Sequence, residues 1–124
     1  MKKNAEKRNH RGVEEGKIHL EVGDCCNLSY ENDFFDAVTS INTIYFWNDT
    51  LQGLREICRT LKPKGKFYNV VYTKAWLQKL SYTRTGFQFF EQEDFVRLGK
   101  EAGFVDVKIC DIVKGKSLVV VYIK

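Results

Sequence analysis

Polar side chains suited to ligand binding follow a short apolar segment in the first half of the sequence. Residues 35–41 (FDAVTSI) are rich in apolar and β-branched side chains, which is typical of a buried strand. Ser40, Ile41 and Asn42 lie at the carboxyl end of this segment, where open α/β sheets bind their ligands. Asn42 is equally suited to a turn in which its side chain bonds the local backbone. We therefore expect either a ligand contact or a structural turn at this position.

Aromatic side chains cluster in two stretches that suit a pocket for a small molecule. Tyr45 and Trp47 follow Asn42 closely, and a second stretch between residues 76 and 90 includes Tyr82. Aromatic side chains pack cores more often than they bind ligands, so core packing is the alternative for both stretches.

Cysteine and histidine spacing indicates neither a metal site nor a catalytic base. The four cysteines lack the CxxC or histidine-rich spacing of zinc sites, and we expect reduced thiols without a metal at Cys25, Cys26, Cys58 and Cys110. His10 and His19 have no neighbouring partner in sequence that would make either a base, and we expect both on the surface.

Strands alternate with helices along the chain. The predicted elements are a polar helix over 2–14, a strand over 18–22, the strand at 35–41, a helix capped by 48–50 and stopped before Pro63, a strand over 66–72, a helix over 93–102 ended by Gly103, and strands over 105–109 and 118–123. This order favours a mixed α/β fold with a mostly parallel sheet and an antiparallel hairpin at its carboxyl-terminal end.

Composition and charge narrow the classes of function. The net charge of +4 comes from interleaved acidic and basic residues, which excludes the one-sided basic patch of a nucleic-acid-binding protein. A polar amino terminus and the lack of a long apolar run favour a cytoplasmic chain with no membrane contact. We expect residues 1–124 to form one domain.

Three motifs, in order, resemble class I S-adenosylmethionine-dependent methyltransferases. Residues 23–40 resemble the family run "GDA…LP…D.SFD.V", residues 54–67 resemble "E..RVLKPGG.F", and residues 95–104 resemble the "L…L..AGF" helix. The resemblance covers essentially the whole chain and is closest to the small-molecule methyltransferases of ubiquinone biosynthesis. It implies a Rossmann-like sheet that has seven strands in the family, of which this sequence begins before the third, so that the domain is incomplete.

The resemblance also implies roles for individual residues. Asp24 would accept a hydrogen bond from the adenine amino group of S-adenosylmethionine, and the backbone at Cys25 would meet the ring; the alternative is that Gly23-Asp24 only ends a strand. Ser40, Ile41 and Asn42 would approach the methionine end or the substrate. Tyr45, Trp47 and Tyr82 would line the acceptor pocket. No catalytic residue is identified, because methyl transfer from an activated sulfonium needs no dedicated base.

Two hypotheses about function follow. The first is methyl transfer from S-adenosylmethionine to a small-molecule acceptor, with this chain inactive alone because the glycine-rich cofactor loop of the family is missing from its sequence. The second is a non-catalytic, dimeric binding module with the same fold. Both predict an exposed strand edge at 35–41, which the strand at 18–22, a second copy or a separate polypeptide would cover.

Overall fold

Six helical segments and four strands make up the described part of the molecule. The computed structural model describes residues 2–80 and 87–124. Its elements are α1 (Lys2–Arg8), α2 (His10–Glu14), β1 (Phe35–Ile41), a 3-10 turn (Ile44–Phe46), α3 (Thr50–Thr60), β2 (Leu61–Tyr72), α4 (Lys74–Gln78), α5 (Gln92–Ala102), β3 (Asp106–Val113) and β4 (Ser117–Ile123).

The four strands form one mixed sheet in the order β1-β2-β4-β3. β1 and β2 pair in parallel, whereas β4 runs antiparallel to both β2 and β3. Three strands therefore share one direction, and β3 and β4 form the expected hairpin. The α/β fold class predicted from the alternation of elements is confirmed.

The chain passes from α3 directly into β2. Asp49 caps α3 by accepting a hydrogen bond from the Gln52 amide at 3.1 Å, and Leu54 and Ile57 are buried on the inner face of the helix. The helix ends at Thr60 and β2 begins at Leu61, five residues before the predicted start at 66. A register irregularity at the start of the β1–β2 pairing accommodates Pro63, since proline is tolerated in sheets mainly at bulges and edges.

The prediction of a strand at residues 18–22 is wrong. This segment has no regular secondary structure, and Val22 is 84% exposed. An alternating pattern forms a strand only where a neighbour supplies the ladder of hydrogen bonds. In the described part of the chain no strand, β1 included, pairs with this segment. The single helix expected over 2–14 is likewise broken at Asn9 into α1 and α2.

The core lies between the sheet and helices α3 and α5. Phe67 on β2 stacks on Tyr122 of β4, and Phe104 packs against the same tyrosine. Gly99 permits this approach of α5, since a Cβ there would lie 2.6 Å from the Tyr122 ring. Gly103 ends α5 with φ +111°, the left-handed conformation predicted for it. None of the helices in the described ranges is long and apolar enough to cross a membrane.

Candidate functional site: a cleft at the carboxyl end of β1

An open cleft of about 750 Å³ lies at the carboxyl end of β1. Its walls come from the 21–28 loop, from β1, from the 43–47 segment and from α3, and its lining includes Cys25, Leu28, Val38, Ser40, Ile41, Thr43, Trp47 and Ile57. Its volume and mixture of apolar and polar groups are those of a small-molecule site. Three of the five residues proposed from sequence as cofactor contacts, namely Cys25, Ser40 and Ile41, therefore meet in one cleft.

Asp24 and Cys25 lie in a tight turn at one wall of this cleft. The exposed Asp24 accepts a hydrogen bond from the Cys26 amide through Oδ1 at 2.9 Å, and its carbonyl accepts one from the Asn27 amide at 3.0 Å. Burial, and then the neighbouring Cys26, raises the pKa of the Cys25 thiol to about 12. Cys25 is therefore a neutral thiol at physiological pH.

An ion pair on α3 holds the loop that continues from this turn. The Arg59 guanidinium donates to Glu56 Oε2 at 2.6 Å and to the carbonyls of Leu28 (3.0 Å) and Tyr30 (2.8 Å), while Glu56 Oε1 accepts from the Leu28 amide at 3.0 Å. Hydrogen bonds from Arg59, together with that amide, lower the pKa of Glu56. Sequence reasoning assigned these two residues no role, although their i, i+3 spacing on a helix was a usable signal.

Asn42 lies at the tip of the turn that follows β1. It adopts φ +54°, its amide donates to the Val70 carbonyl at 2.9 Å, and its Oδ1 accepts a hydrogen bond from the Tyr45 hydroxyl at 3.1 Å. The Tyr45 hydroxyl also accepts one from the Tyr72 amide at 2.6 Å. Asn42 thus takes part in the turn that the sequence offered as one alternative, and its ligand contact stays a prediction. Its neighbours Ile41 and Thr43 line the first cleft.

A second hollow of about 350 Å³ lies on the other side of this turn. It is lined by Asn42, Tyr45, Phe46, Tyr72, Leu77 and Phe87. Tyr45, which is nearly fully buried, stacks on Phe87 with ring centroids 5.5 Å apart. The aromatic side chains predicted at this end of the sheet therefore both pack the core and line a hollow next to the first cleft.

Trp47 and Tyr82, the other two residues proposed for the acceptor, are placed differently. Trp47 lines the first cleft rather than the aromatic hollow, and it stacks on Phe67 with ring centroids 6.4 Å apart. A Cβ at Gly53 on α3 would lie 2.7 Å from its ring. Tyr82 falls outside the described residues.

Comparison with known proteins identifies the family. The family model described as "Methyltransferase domain" matches residues 1–69. The 2-methyl-6-phytyl-1,4-hydroquinone methyltransferase 1, chloroplastic, of Oryza sativa subsp. japonica is 32% identical over 94 residues, which are 74% of this chain and 28% of the rice protein. The chain spans about a quarter of the length of the curated relatives it matches.

Solved structures have the same fold. The possible histamine N-methyltransferase from Thermotoga maritima superposes with a TM-score of 0.72 at 19% identity. The match covers 94% of this chain and 69% of the Thermotoga chain. Phosphoethanolamine N-methyltransferase 2 from Haemonchus contortus, in complex with S-adenosyl-L-methionine, superposes with a TM-score of 0.77 at 17% identity. The match covers 97% of this chain and 40% of the Haemonchus chain. These likenesses show the Rossmann-like methyltransferase fold. With a family match over more than half of its residues, the chain belongs to the methyltransferase domain family.

Proposed function

We propose that this chain contributes one part of an S-adenosylmethionine-dependent methyltransferase that acts on a small-molecule acceptor. The observation that carries the proposal is the cleft at the carboxyl end of β1, where Cys25, Ser40 and Ile41 meet in the fold of this family. The cofactor supplies a methyl group that is already activated as a sulfonium. The residues of the chain therefore need only orient the cofactor and the acceptor towards each other and exclude water.

The donors and acceptors present fit the adenosine end of this cofactor. Asp24 offers an exposed carboxylate, fixed by the Cys26 amide, that can accept from an adenine amino group. Leu28, Val38 and Ile57 offer apolar surface for a ring. Ser40, Ile41 and Asn42 are assigned to the methionine end or the substrate. The sequence contains no GxGxG run, so we expect the chain alone to bind the cofactor weakly and to be inactive.

The acceptor is assigned to the aromatic hollow beside the turn at Asn42. Several relatives are named as methyltransferases of a phytyl hydroquinone, and others as ubiquinone or menaquinone C-methyltransferases. A quinol ring suits a hollow lined by Tyr45, Tyr72 and Phe87. The cytoplasmic location stays a prediction, since the plant relatives are named as chloroplastic.

A titration of the isotope-labelled chain, followed by amide NMR shifts, tests the cofactor assignment. Adenosine should shift the Asp24–Cys25 amides, methionine should shift those of Ser40–Asn42, and S-adenosylmethionine should shift both sets with an affinity weaker than micromolar. Asp24→Ala should weaken the adenosine response, whereas Asp111→Ala, at an exposed aspartate on β3, should not. Shifts that avoid the cleft, or an adenosine response unchanged by Asp24→Ala, would contradict the assignment.

A second candidate function is a non-catalytic module that acts as a dimer. The observation that favours it is β1, which lies at the edge of the sheet and ends at Ile41, 65% exposed. An apolar edge with unpaired backbone groups favours pairing with another chain. We infer that β1 pairs with a second copy, or with a polypeptide that supplies further strands of the sheet.

A further inference from the structure

Three potential metal ligands meet in the turn at the wall of the cleft. The Asp24 carboxylate and the thiols of Cys25 and Cys26 each bring one ligand atom within 4.8 Å of the others. The two sulfur atoms are 4.0 Å apart. Adjacent cysteines do not match the CxxC spacing of zinc sites, so sequence reasoning expected no metal here.

The distance between the sulfur atoms suits one shared metal ion. Two thiolates bound to a tetrahedral ion at about 2.3 Å each lie about 3.8 Å apart. A disulfide would instead require the two atoms to approach to about 2.05 Å. The observed separation is therefore within a few tenths of an ångström of the metal-bound value and about twice the disulfide value.

Contacts with α3 and its cap hold the turn in this arrangement. The Cys26 thiol donates to the Asp49 carbonyl at 3.3 Å, and the Cys26 carbonyl accepts from the Gln52 side-chain amide at 3.3 Å. The hydrogen bond from the Cys26 amide keeps the Asp24 carboxylate folded back over the turn. The bond from the Cys26 thiol is given up when that thiol loses its proton to a metal, whereas the bonds made by the Cys26 backbone to Asp24 and Gln52 remain and hold the turn.

We propose that Asp24, Cys25 and Cys26 bind one thiophilic divalent ion of the zinc type. Binding forms two metal–sulfur bonds and one metal–oxygen bond, and the two thiol protons go to solvent. Water takes the fourth position, because the turn is open to solvent. Cys25 lines the cleft, so the ion lies in the cleft wall. This site does not depend on methyl transfer and stands if the proposed function fails, but the ion and an adenine amino group would compete for the Asp24 carboxylate.

Cadmium titration of the reduced, full-length chain tests the site through the thiolate-to-cadmium absorption band. We expect one equivalent bound, with the band displaced by Zn²⁺, lost in Cys25→Ser and Cys26→Ser, and weakened in Asp24→Asn. Cys110→Ser removes a solvent-exposed thiol on β3 and serves as the matched control, which should keep the band. No band in the wild type, or a band lost only in Cys110→Ser, would overturn the proposal.

Alkylation of the wild-type chain gives an answer that does not depend on variants folding. Zn²⁺ should protect Cys26 from iodoacetamide while Cys110 reacts at its metal-free rate, as read by peptide mass spectrometry. Cys25 is not the readout, because its neutral, half-buried thiol reacts slowly even without metal. Equal labelling of Cys26 with and without Zn²⁺ would exclude the site.

Discussion

Single residues on α3 determine where the loop beside the cleft lies. Arg59 and Glu56 together bond the backbone of Leu28 and Tyr30, so one ion pair fixes a segment that has no secondary structure of its own. The Glu56 side chain is only 12% exposed, and its interaction with Arg59 is less screened than that of an ordinary surface pair. Both residues belong to the motif that carries the family resemblance, and the structure supplies a physical reason for their presence in it.

Glu56→Gln should destabilise the chain at neutral pH and matter less in acid. Hydrogen bonds from Arg59 hold the pKa of Glu56 below its ordinary value of 4.5. A carboxyl whose pKa is lower in the folded state stabilises above its unfolded pKa, and this contribution is lost as the pH falls through the folded value. We expect a loss of about 1 kcal/mol in the free energy of unfolding at pH 7.

Denaturant unfolding at several pH values measures this effect. The difference between wild type and Glu56→Gln should narrow below pH 4.5. Glu31→Gln, at an exposed loop position, is the control and should change the free energy of unfolding by less than about 0.5 kcal/mol at any pH. A difference that grows in acid would show that the ion pair does not act as described.

At the scale of elements, α3 and Trp47 pack closely together at one wall of the cleft. Gly53 lets the helix approach the indole ring, and Gly53→Ala would place a Cβ 2.7 Å from Trp47 Cε3. Overpacking of this kind costs about 1–3 kcal/mol, against about 1 kcal/mol gained in helix propensity. We expect a net destabilisation of about 1 kcal/mol and a red shift of the Trp47 fluorescence as the ring moves towards solvent.

Gly23→Ala is the matched control for this substitution. A Cβ at Gly23 has no heavy atom within 4 Å, so the free energy of unfolding and the fluorescence should both stay near those of wild type. Trp76→Phe in both backgrounds removes the other tryptophan and isolates the Trp47 signal. If Gly53→Ala proves as stable as Gly23→Ala, the close packing of α3 on Trp47 does not require a glycine at position 53.

At the scale of the whole molecule, we expect the open edge of the sheet to govern assembly. Within the described residues, β1 pairs with β2 alone, and Thr39 is exposed on it. Thr39→Lys should convert a dimer into a monomer in light-scattering measurements at micromolar concentration, since a charged side chain blocks edge-to-edge pairing. Ile112→Lys, on the opposite edge strand β3, should leave the dimer intact. A monomeric wild type, or dissociation by Ile112→Lys alone, would contradict pairing through β1.

Local sequence determined most of the secondary structure in the second half of the chain. The Asp49 cap, the apolar face of α3, the left-handed Gly103 and the apolar run of β4 each act through neighbours in sequence or through simple periodicity, so they were predicted close to their observed bounds. The strand expected at 18–22 failed because a strand needs a partner, which no local pattern can supply.

The sequence by itself also determined the family and the position of the cleft at the carboxyl end of β1, since both follow from motifs and strand order. Only the tertiary structure decided what each side chain does there. In the structure, Asn42 lies in a turn where its side chain bonds Tyr45, and Trp47 lines the cleft and not the aromatic hollow. The Cys25 and Cys26 thiols lie beside the Asp24 carboxylate. Some of these groups are neighbours in sequence, but contacts with distant segments fix their orientation: Tyr72 bonds the Tyr45 hydroxyl, and Asp49 and Gln52 bond Cys26. Packing sets these contacts, and composition does not.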